Sequence, residues 1–482
     1  MRILFLSSEV APFSKTGGLG DVSGALPWAL SERGHDVRVM TPLHRGVPRA
    51  TLQLVGSPLT LEFPFGKIDL RLFRAPAPGE LLFIDAPALF DRDEYYGYPD
   101  DARRFAAFSM AALAFTQRDG FVPDVVQGND WPTGIAMLAL RTGFAHTPLG
   151  RARRVFTIHN LAYQGLFPAK EMEALGLPWD LFTPGGVEFY EQLSFMKAGL
   201  VFADLLTTVS PTYAREIQTP AFGAGLDGLL RHRADSLHGI LNGVDVKEWN
   251  PATDVFLPRQ FTSTELAGRT LCRKELIASC RIDAPVPGMP LFGVIGRMAA
   301  QKGADLLHVA LPKLLEQGAS AIVLGAGEPA VQDAWLSLAA KYPRRLSVRI
   351  GFDNSLAHRI EAGSDFFLMP SRFEPCGLSQ MYSLLYGAVP VVHGVGGLKD
   401  TVFDLTHANA NGIVFEQPTA EALFGALVRA VELFRDEAAY AAVQRRGMTA
   451  DFSWAAAAAE YERLFGLPSP RPSPPRGEGG TG

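Results

Sequence analysis

The chain has 482 residues, 47% hydrophobic and 20% charged, with 45 Lys and Arg against 50 Asp and Glu for a formal net charge of −5. That length is a prior for two or three domains with enough apolar mass for full cores, and the mild acidity speaks against a nucleic-acid binder, whose basic patches push the balance the other way. Cys272, Cys280 and Cys376 form no metal-spaced set and cannot all pair with one another, as expected of a reducing compartment.

The opening run Met-Arg-Ile-Leu-Phe-Leu-Ser-Ser-Glu carries one positive charge, and Glu9 breaks its apolar stretch. It is too short for a signal peptide and reads as a first buried strand at 3–7. No stretch approaches the roughly 20 apolar residues that span a bilayer, so a cytoplasmic protein without membrane contact is expected. A helix follows over 21–33 and ends at Gly34. Strands are expected at 37–41, 81–85, 125–126, 155–158 and 205–209, with a helix over 102–116. A second series occupies 291–295, 321–324, 346–350, 366–369, 389–392 and 412–415, each separated by helical lengths. This alternation is the pattern of doubly wound α/β units. The expectation is an α/β protein of two Rossmann-like domains facing across a cleft. Residues 1–241 form the first domain and 242–450 the second, with 242–290 including the linker. An Ala-rich helix occupies 451–466, and 467–482, rich in Pro and Gly, is expected to be a disordered tail.

Three loops at strand ends carry chemistry. Lys15-Thr16-Gly17-Gly18-Leu19-Gly20-Asp21 lies between the first strand and its helix. Glycines there allow close backbone approach, and the helix N-terminus favours an anion or a polar oxygen. A plain glycine-rich turn with Asp21 as the helix N-cap is the alternative. A dinucleotide fingerprint fits poorly, because the glycines come too late and no acidic residue ends the second strand. A P-loop is absent. Gly296-Arg297-Met298-Ala299-Ala300-Gln301-Lys302-Gly303 follows the first strand of the second series. Arg297 and Lys302 could converge on a phosphate pair whose charge grows as a bond breaks, or they could be solvated surface charges. Pro370-Ser371-Arg372-Phe373-Glu374-Pro375-Cys376-Gly377-Leu378 leads into a helix from about Leu378. Its amides would point out of the helix start while Glu374 accepts from hydroxyls.

His159 ends the 155–158 strand and could reach the same edge as the glycine loop, although a lone His is often only a structural hydrogen-bonder. Asn129-Asp130-Trp131 suits a sugar, the carboxylate taking hydroxyls and the indole packing on the ring face. Asp91-Arg92-Asp93 matches a D-x-D metal motif, but lies in a polar, Tyr-rich segment away from the glycine-rich loops, so no metal site is expected there.

Together these segments resemble the bacterial glycogen synthase and plant starch synthase family of glycosyltransferases. The resemblance is carried by K-T-G-G-L-G-D-V at 15–22, T-I-H-N-L-A-Y-Q-G at 157–165 and V-S-P-T-Y-A-R-E-I at 209–217. It continues with L-N-G-V-D at 241–245, P-S-R-F-E-P-C-G-L at 370–378, G-G-L-K-D-T-V at 396–402 and D-F-S-W at 451–454. It implies the GT-B fold and a retaining, metal-independent transfer of glucose from ADP-glucose to the non-reducing-end 4-hydroxyl of an α-1,4-glucan such as glycogen. UDP-glucose or another glycan acceptor is the alternative within the class. A catalytically silent glucan-binding protein is the alternative outside it, and the joint presence of Lys15, Asp21, His159, Arg297, Lys302 and Glu374 speaks against that.

By resemblance, Lys15, Gly17, Gly18 and Asp21 contact the donor's phosphate and glucose, and Asn242 lies in the cleft. Arg297 and Lys302 stabilise the leaving diphosphate. Glu374 and the amides of Cys376, Gly377 and Leu378 meet the donor glucose, His159 hydrogen-bonds near the reacting sugar, and Asp130 acts on the acceptor side. The resemblance also implies that the 451–466 helix packs back on the first domain. Two places depart from bacterial relatives: the stretch Gln127-Gly128-Asn129-Asp130-Trp131-Pro132 stands for the usual His-Ala-His-Asp-Trp-His, which leaves the acceptor side open, and Phe352 stands where some have Tyr.

Overall fold

The structure, a computed structural model, describes residues 1–76 and 79–466; the tail expected at 467–482 lies outside the described residues. The chain divides into two compact units. The first holds residues Met1–Val209, Ala214–Ile240 and the segment from Trp454 onward, and the second holds Ser210–Tyr213 and Leu241–Ser453.

In the first unit, strand Arg2–Leu6 pairs in parallel with Asp36–Pro42 on one side and Val125–Asn129 on the other. Beyond Asp36–Pro42 comes Glu80–Asp85, and beyond Val125–Asn129 come Arg153–Ile158, Leu205–Thr208 and Leu237–Gly239. These strands are near-continuous apolar runs, Ile-Leu-Phe-Leu in the first, because both faces of a parallel sheet are covered. The edge past Glu80–Asp85 is antiparallel, built from Gln53–Leu54, Leu59–Phe63 and Gly66–Arg74. That edge was not expected, although Leu59, Leu61 and Phe63 alternate with Thr60 and Glu62. A small three-stranded sheet of Leu166–Pro168, Glu188–Phe189 and Gln192–Ser194 was also not anticipated.

The first helix runs Gly18–Glu32, three residues earlier than expected, with Gly17 in extended conformation at its N-cap. Asp21 is therefore within the first turn, which corrects its alternative reading as the cap. Helix Trp454–Gly466 lies on this helix: Ala458, Tyr461 and Leu464 share one core with Val22, Leu26 and Leu30. Arg33 Nε donates to Glu462 at 2.7 Å, and Arg153 donates to the last-turn carbonyls of Leu464 and Phe465 at 3.2 and 2.9 Å, satisfying acceptors that a helix end leaves open.

The second unit is a six-stranded parallel sheet in the order Leu346–Ile350, Ser320–Gly325, Leu291–Ile295, Phe366–Met369, Val389–His393, Ile413–Phe415. Helices Ala304–Ala310 and Ala420–Arg435 cover one face through Leu306, Leu307, Leu423, Leu427 and Val431. Within the segment expected as linker, Ala267–Ser279 is a 13-residue helix whose Cys272 and Leu276 are buried. Its apolar positions follow helical spacing, and the prolines around it had masked them.

Leu464 is 4% exposed and is held at the far end of the chain by packing on the first helix. Leu464→Ala is expected to lower the stability of the first unit by about 3 kcal/mol, read as an earlier first transition in urea, with the second unit's transition unmoved.

Candidate active site

In each unit the first strand of the sheet sits centrally, and the chain continues to one side before crossing to the other. The loops after the first strand and after its neighbour across that switch diverge, leaving a crevice at their carboxyl ends. In the first unit these are the loops after Arg2–Leu6 and Val125–Asn129, and in the second those after Leu291–Ile295 and Phe366–Met369. They carry most of the residues singled out from sequence.

In the first unit the glycine loop is anchored by Glu9, 2% exposed. Thr16 donates to it from its backbone N–H and, at 2.7 Å, from its hydroxyl; the Tyr96 hydroxyl donates to the same carboxylate at 2.7 Å. Burial first, and then the Glu9 charge, pushes the Tyr96 phenol well above its ordinary range. Neither Glu9 nor Tyr96 was anticipated as part of the site, and the only hint was an acidic residue interrupting an apolar start. Lys15 Nζ sits 2.7 Å from Asp21 Oδ1. Burial raises the Asp21 carboxyl and outweighs the pull of that ammonium. A side chain at Gly17 or Gly18 would meet nothing within 4 Å, so these glycines face open space and leave their amides approachable.

Asp130 adopts φ 55°, ψ 179°, a conformation essentially reserved for glycine that costs of order 1–3 kcal/mol. Its own N–H reaches Thr157 O at 2.9 Å, and its Oδ1 accepts the backbone N–H of His159 at 2.8 Å and of Asn160 at 3.4 Å. Burial pushes the carboxyl up to about 7 against those two donors. His159, 8% exposed, has Nε2 3.0 Å from Asn129 Oδ1, and burial lowers it to about 3, so the ring is neutral. Trp131 is packed among Phe105, Phe167 and Tyr96, with ring centroids 4.9–5.9 Å away. Its indole serves the core as much as any ligand, and it borders a cavity of about 470 Å³ lined also by Tyr163, Gln164 and Phe189.

In the second unit Lys302 Nζ is ion-paired with Glu374, and Ser371 Oγ donates to the same carboxylate at 3.1 Å. Arg297 is exposed and donates to Gln301 Oε1 at 3.1 Å. The loops bearing them are stitched together. Arg372 donates from its backbone to Gln301 O at 2.8 Å and from its side chain to Ala300 O at 2.7 Å. Gly303, at φ 73°, passes so close that a Cβ would stand 2.3 Å from Pro370 O.

Cys376 is 5% exposed, its thiol pushed up to about 12 by burial, and it takes a hydrogen bond from the Asn242 backbone. Asn242 Oδ1 is sealed without a partner. Gly377 has φ 75°, and Leu378 is the N-cap of helix Ser379–Tyr386, one residue later than expected. Ser210 Oγ donates to Pro375 O at 2.7 Å. Beyond Leu346–Ile350, Phe352 is 91% exposed, a large ring held in solvent just past the carboxyl end of that strand. The D-x-D carboxylates of Asp91 and Asp93 both pair with Arg45, whose hydrogen bond lowers the Asp91 carboxyl.

Residues 2–232 match the starch synthase catalytic domain family, and residues 289–432 match the glycosyl transferases group 1 family. The chain is 52% identical to a glycogen synthase of Myxococcus xanthus, over 96% of this chain and 99% of that protein. It is 44% identical to one from Koribacter versatilis, over 96% and 98%. Its structure superposes on the catalytic domain of starch synthase IV from Arabidopsis thaliana bound to ADP and acarbose, with TM-score 0.90 and 33% identity over 96% of this chain and 98% of that one. A sucrose-phosphate synthase from Thermosynechococcus elongatus, at TM-score 0.61 and 18% identity over 96% and 98%, shares the fold.

Asp130 gives a pH signature. Its folded pKa of about 7 stands above the ordinary 3.8, so the stability tied to its protonated form is full below about pH 4 and is lost as pH rises through 7. Compared with Asp130→Asn, which keeps an acceptor for the two amides, the native protein should lose up to about 4 kcal/mol between pH 4 and 7. Urea denaturation of both proteins across that range checks it, and parallel curves would contradict it.

Proposed function

The chain belongs to the bacterial glycogen synthase and plant starch synthase family of glycosyltransferases, and from that premise we propose that it transfers glucose from ADP-glucose, with retention and without a metal, to the non-reducing-end 4-hydroxyl of an α-1,4-glucan. The observation that carries this reading is the joined pair of loops at the switch point of the second sheet, where Lys302, Arg297 and Glu374 are presented together.

Departure of a nucleoside diphosphate leaves negative charge on phosphate oxygens. Two cations carried on loops stabilise that charge electrostatically. Lys302 is held by Glu374 until the donor arrives; the ammonium then turns to the diphosphate, and the freed carboxylate accepts hydroxyls of the glucose. The amides of Cys376, Gly377 and Leu378 present donors beside it. In the first unit Lys15, Gly17, Gly18 and Asp21 offer an open, glycine-lined loop to phosphate and sugar; Asn242, in the second unit, holds a buried carbonyl oxygen without a partner. Phe352 offers a flat face to an adenine ring. As the sugar becomes oxocarbenium-like, the acceptor hydroxyl attacks from the face the phosphate leaves, and a phosphate oxygen takes its proton. Asp130 orients that hydroxyl. The first unit carries the acceptor and the second the nucleotide sugar. The same reading places the enzyme in the cytoplasm, in keeping with its three free cysteines; among the described residues no helix is long and apolar enough to cross a membrane.

Nucleotide release with glycogen as acceptor tests this, run with ADP-glucose and UDP-glucose in the presence of EDTA. Turnover with ADP-glucose, undiminished by EDTA and lowered roughly 10²–10³-fold in kcat by Lys302→Ala, is expected. Preference for UDP-glucose would overturn the donor assignment, and loss only with EDTA would return attention to Asp91 and Asp93. Phe352→Ala should raise KM for the donor by about tenfold while kcat stays near the native value; a change in kcat alone would remove Phe352 from base binding.

A further inference from the structure

Asn129 ends the strand Val125–Asn129 and is fully buried. Its Nδ2 donates to the carbonyl of Leu6, the last residue of the neighbouring strand, at 2.9 Å. Its Oδ1 lies 3.0 Å from His159 Nε2. A backbone carbonyl can only accept, so the amide cannot be turned over: in the flipped orientation two lone-pair oxygens would oppose each other at a fully buried position. The amide orientation is thus fixed by a main-chain atom of the central strand. Oδ1 in turn can only accept, so Nε2 of His159 must carry a hydrogen. Burial keeps the imidazole neutral, and a neutral imidazole has one N–H. Nδ1 is then an unprotonated acceptor. It has no partner among the described residues and is not sealed from solvent. The start of the ring is pinned as well, because the His159 backbone N–H is held by Asp130.

We propose that Asn129 is a positioning residue that sets His159 in the Nε2–H tautomer, so that Nδ1 accepts a hydrogen bond from a hydroxyl of the sugar being transferred. The identity of that hydroxyl group's owner rests on the glucosyl-transfer reading above; the tautomer does not. In this arrangement Nδ1 has no proton to give, so His159 recognises a hydroxyl and does not protonate the departing phosphate. The direction of each hydrogen bond is inherited from the fold. The Leu6 carbonyl exists because Arg2–Leu6 is the central strand, and Asn129 converts that acceptor into a second acceptor two side chains away.

The decisive measurement is long-range proton–nitrogen correlation on the full chain labelled with ¹⁵N-histidine, near neutral pH and without substrate, with His159 identified by the signals missing from His159→Asn. A protonated Nε2 and an unprotonated Nδ1 are expected. A protonated Nδ1, or a mixture of tautomers, overturns the proposal without recourse to any variant. Asn129→Leu removes the directing amide. It should give a mixed tautomer and a kcat roughly tenfold or more lower, with KM for the glucan little changed. If Asn129→Leu keeps the native tautomer, Asn129 does not set it and the proposal fails. If the expected tautomer is found but the native protein transfers no glucose from any nucleotide donor, the role of Asn129 stands and the glucosyl-transfer reading is what has failed.

Discussion

The direction of the parallel strands is the constraint on which everything else depends. Each strand delivers its carboxyl end to the same edge, and the central placement of Arg2–Leu6 and of Leu291–Ile295 makes the loops on either side part from one another. A crevice at that point is a consequence of strand order alone. It explains why loops far apart in sequence, such as 296–303 and 370–378, are bonded to one another, and why the chemistry-bearing residues lie in the loops that follow strand ends, from Asp130 and His159 one position past to Lys15 nine past.

Both halves keep their cations company. Lys15 is paired with Asp21 and Lys302 with Glu374. A charge carried near a low-dielectric surface is expensive without a partner. Pairing each ammonium with a carboxylate stabilises the empty loops and keeps the lysines from swinging into solvent. Arg297 differs: its only partner in the pairs described is a neutral amide, that of Gln301. On the proposed reading its guanidinium meets an incoming phosphate without first leaving a carboxylate, as Lys302 must.

The strands were legible because parallel strands buried on both faces are unbroken apolar runs. Residues 291–295, 346–350 and 366–369 coincide with the observed strands to the residue. The antiparallel edge at 53–74 is faint in the sequence because its strands alternate and are half exposed, a weaker signal than an apolar run. Helix Ala267–Ser279 was hidden by neighbouring prolines. Of the site, the lysines, the arginine and the glycines could be read because few sequence contexts place them after a strand. Glu9 and Tyr96 could not, since their role arises from a contact across 87 residues that no local pattern encodes. Phe352 was visible as a substitution, but its 91% exposure, which makes it a candidate for stacking, is a property of the fold.

Pro132 stands where bacterial relatives have His, and the surroundings of Asp130 show what that replacement touches. Pro132 lies in the first turn of the short helix Trp131–Thr133, where a backbone N–H has no helical acceptor and proline's fixed φ suits the geometry. Its carbonyl still accepts from Ser109 at 3.3 Å. The strained φ of Asp130 is held from elsewhere: Thr157 O takes its N–H, Thr133 donates to its carbonyl from both N–H and hydroxyl, and the amides of His159 and Asn160 hold its side chain. None of these contacts passes through the side chain at 132. The carboxylate geometry is therefore set by the two strands that flank it, and proline at this position stiffens the turn without loosening Asp130.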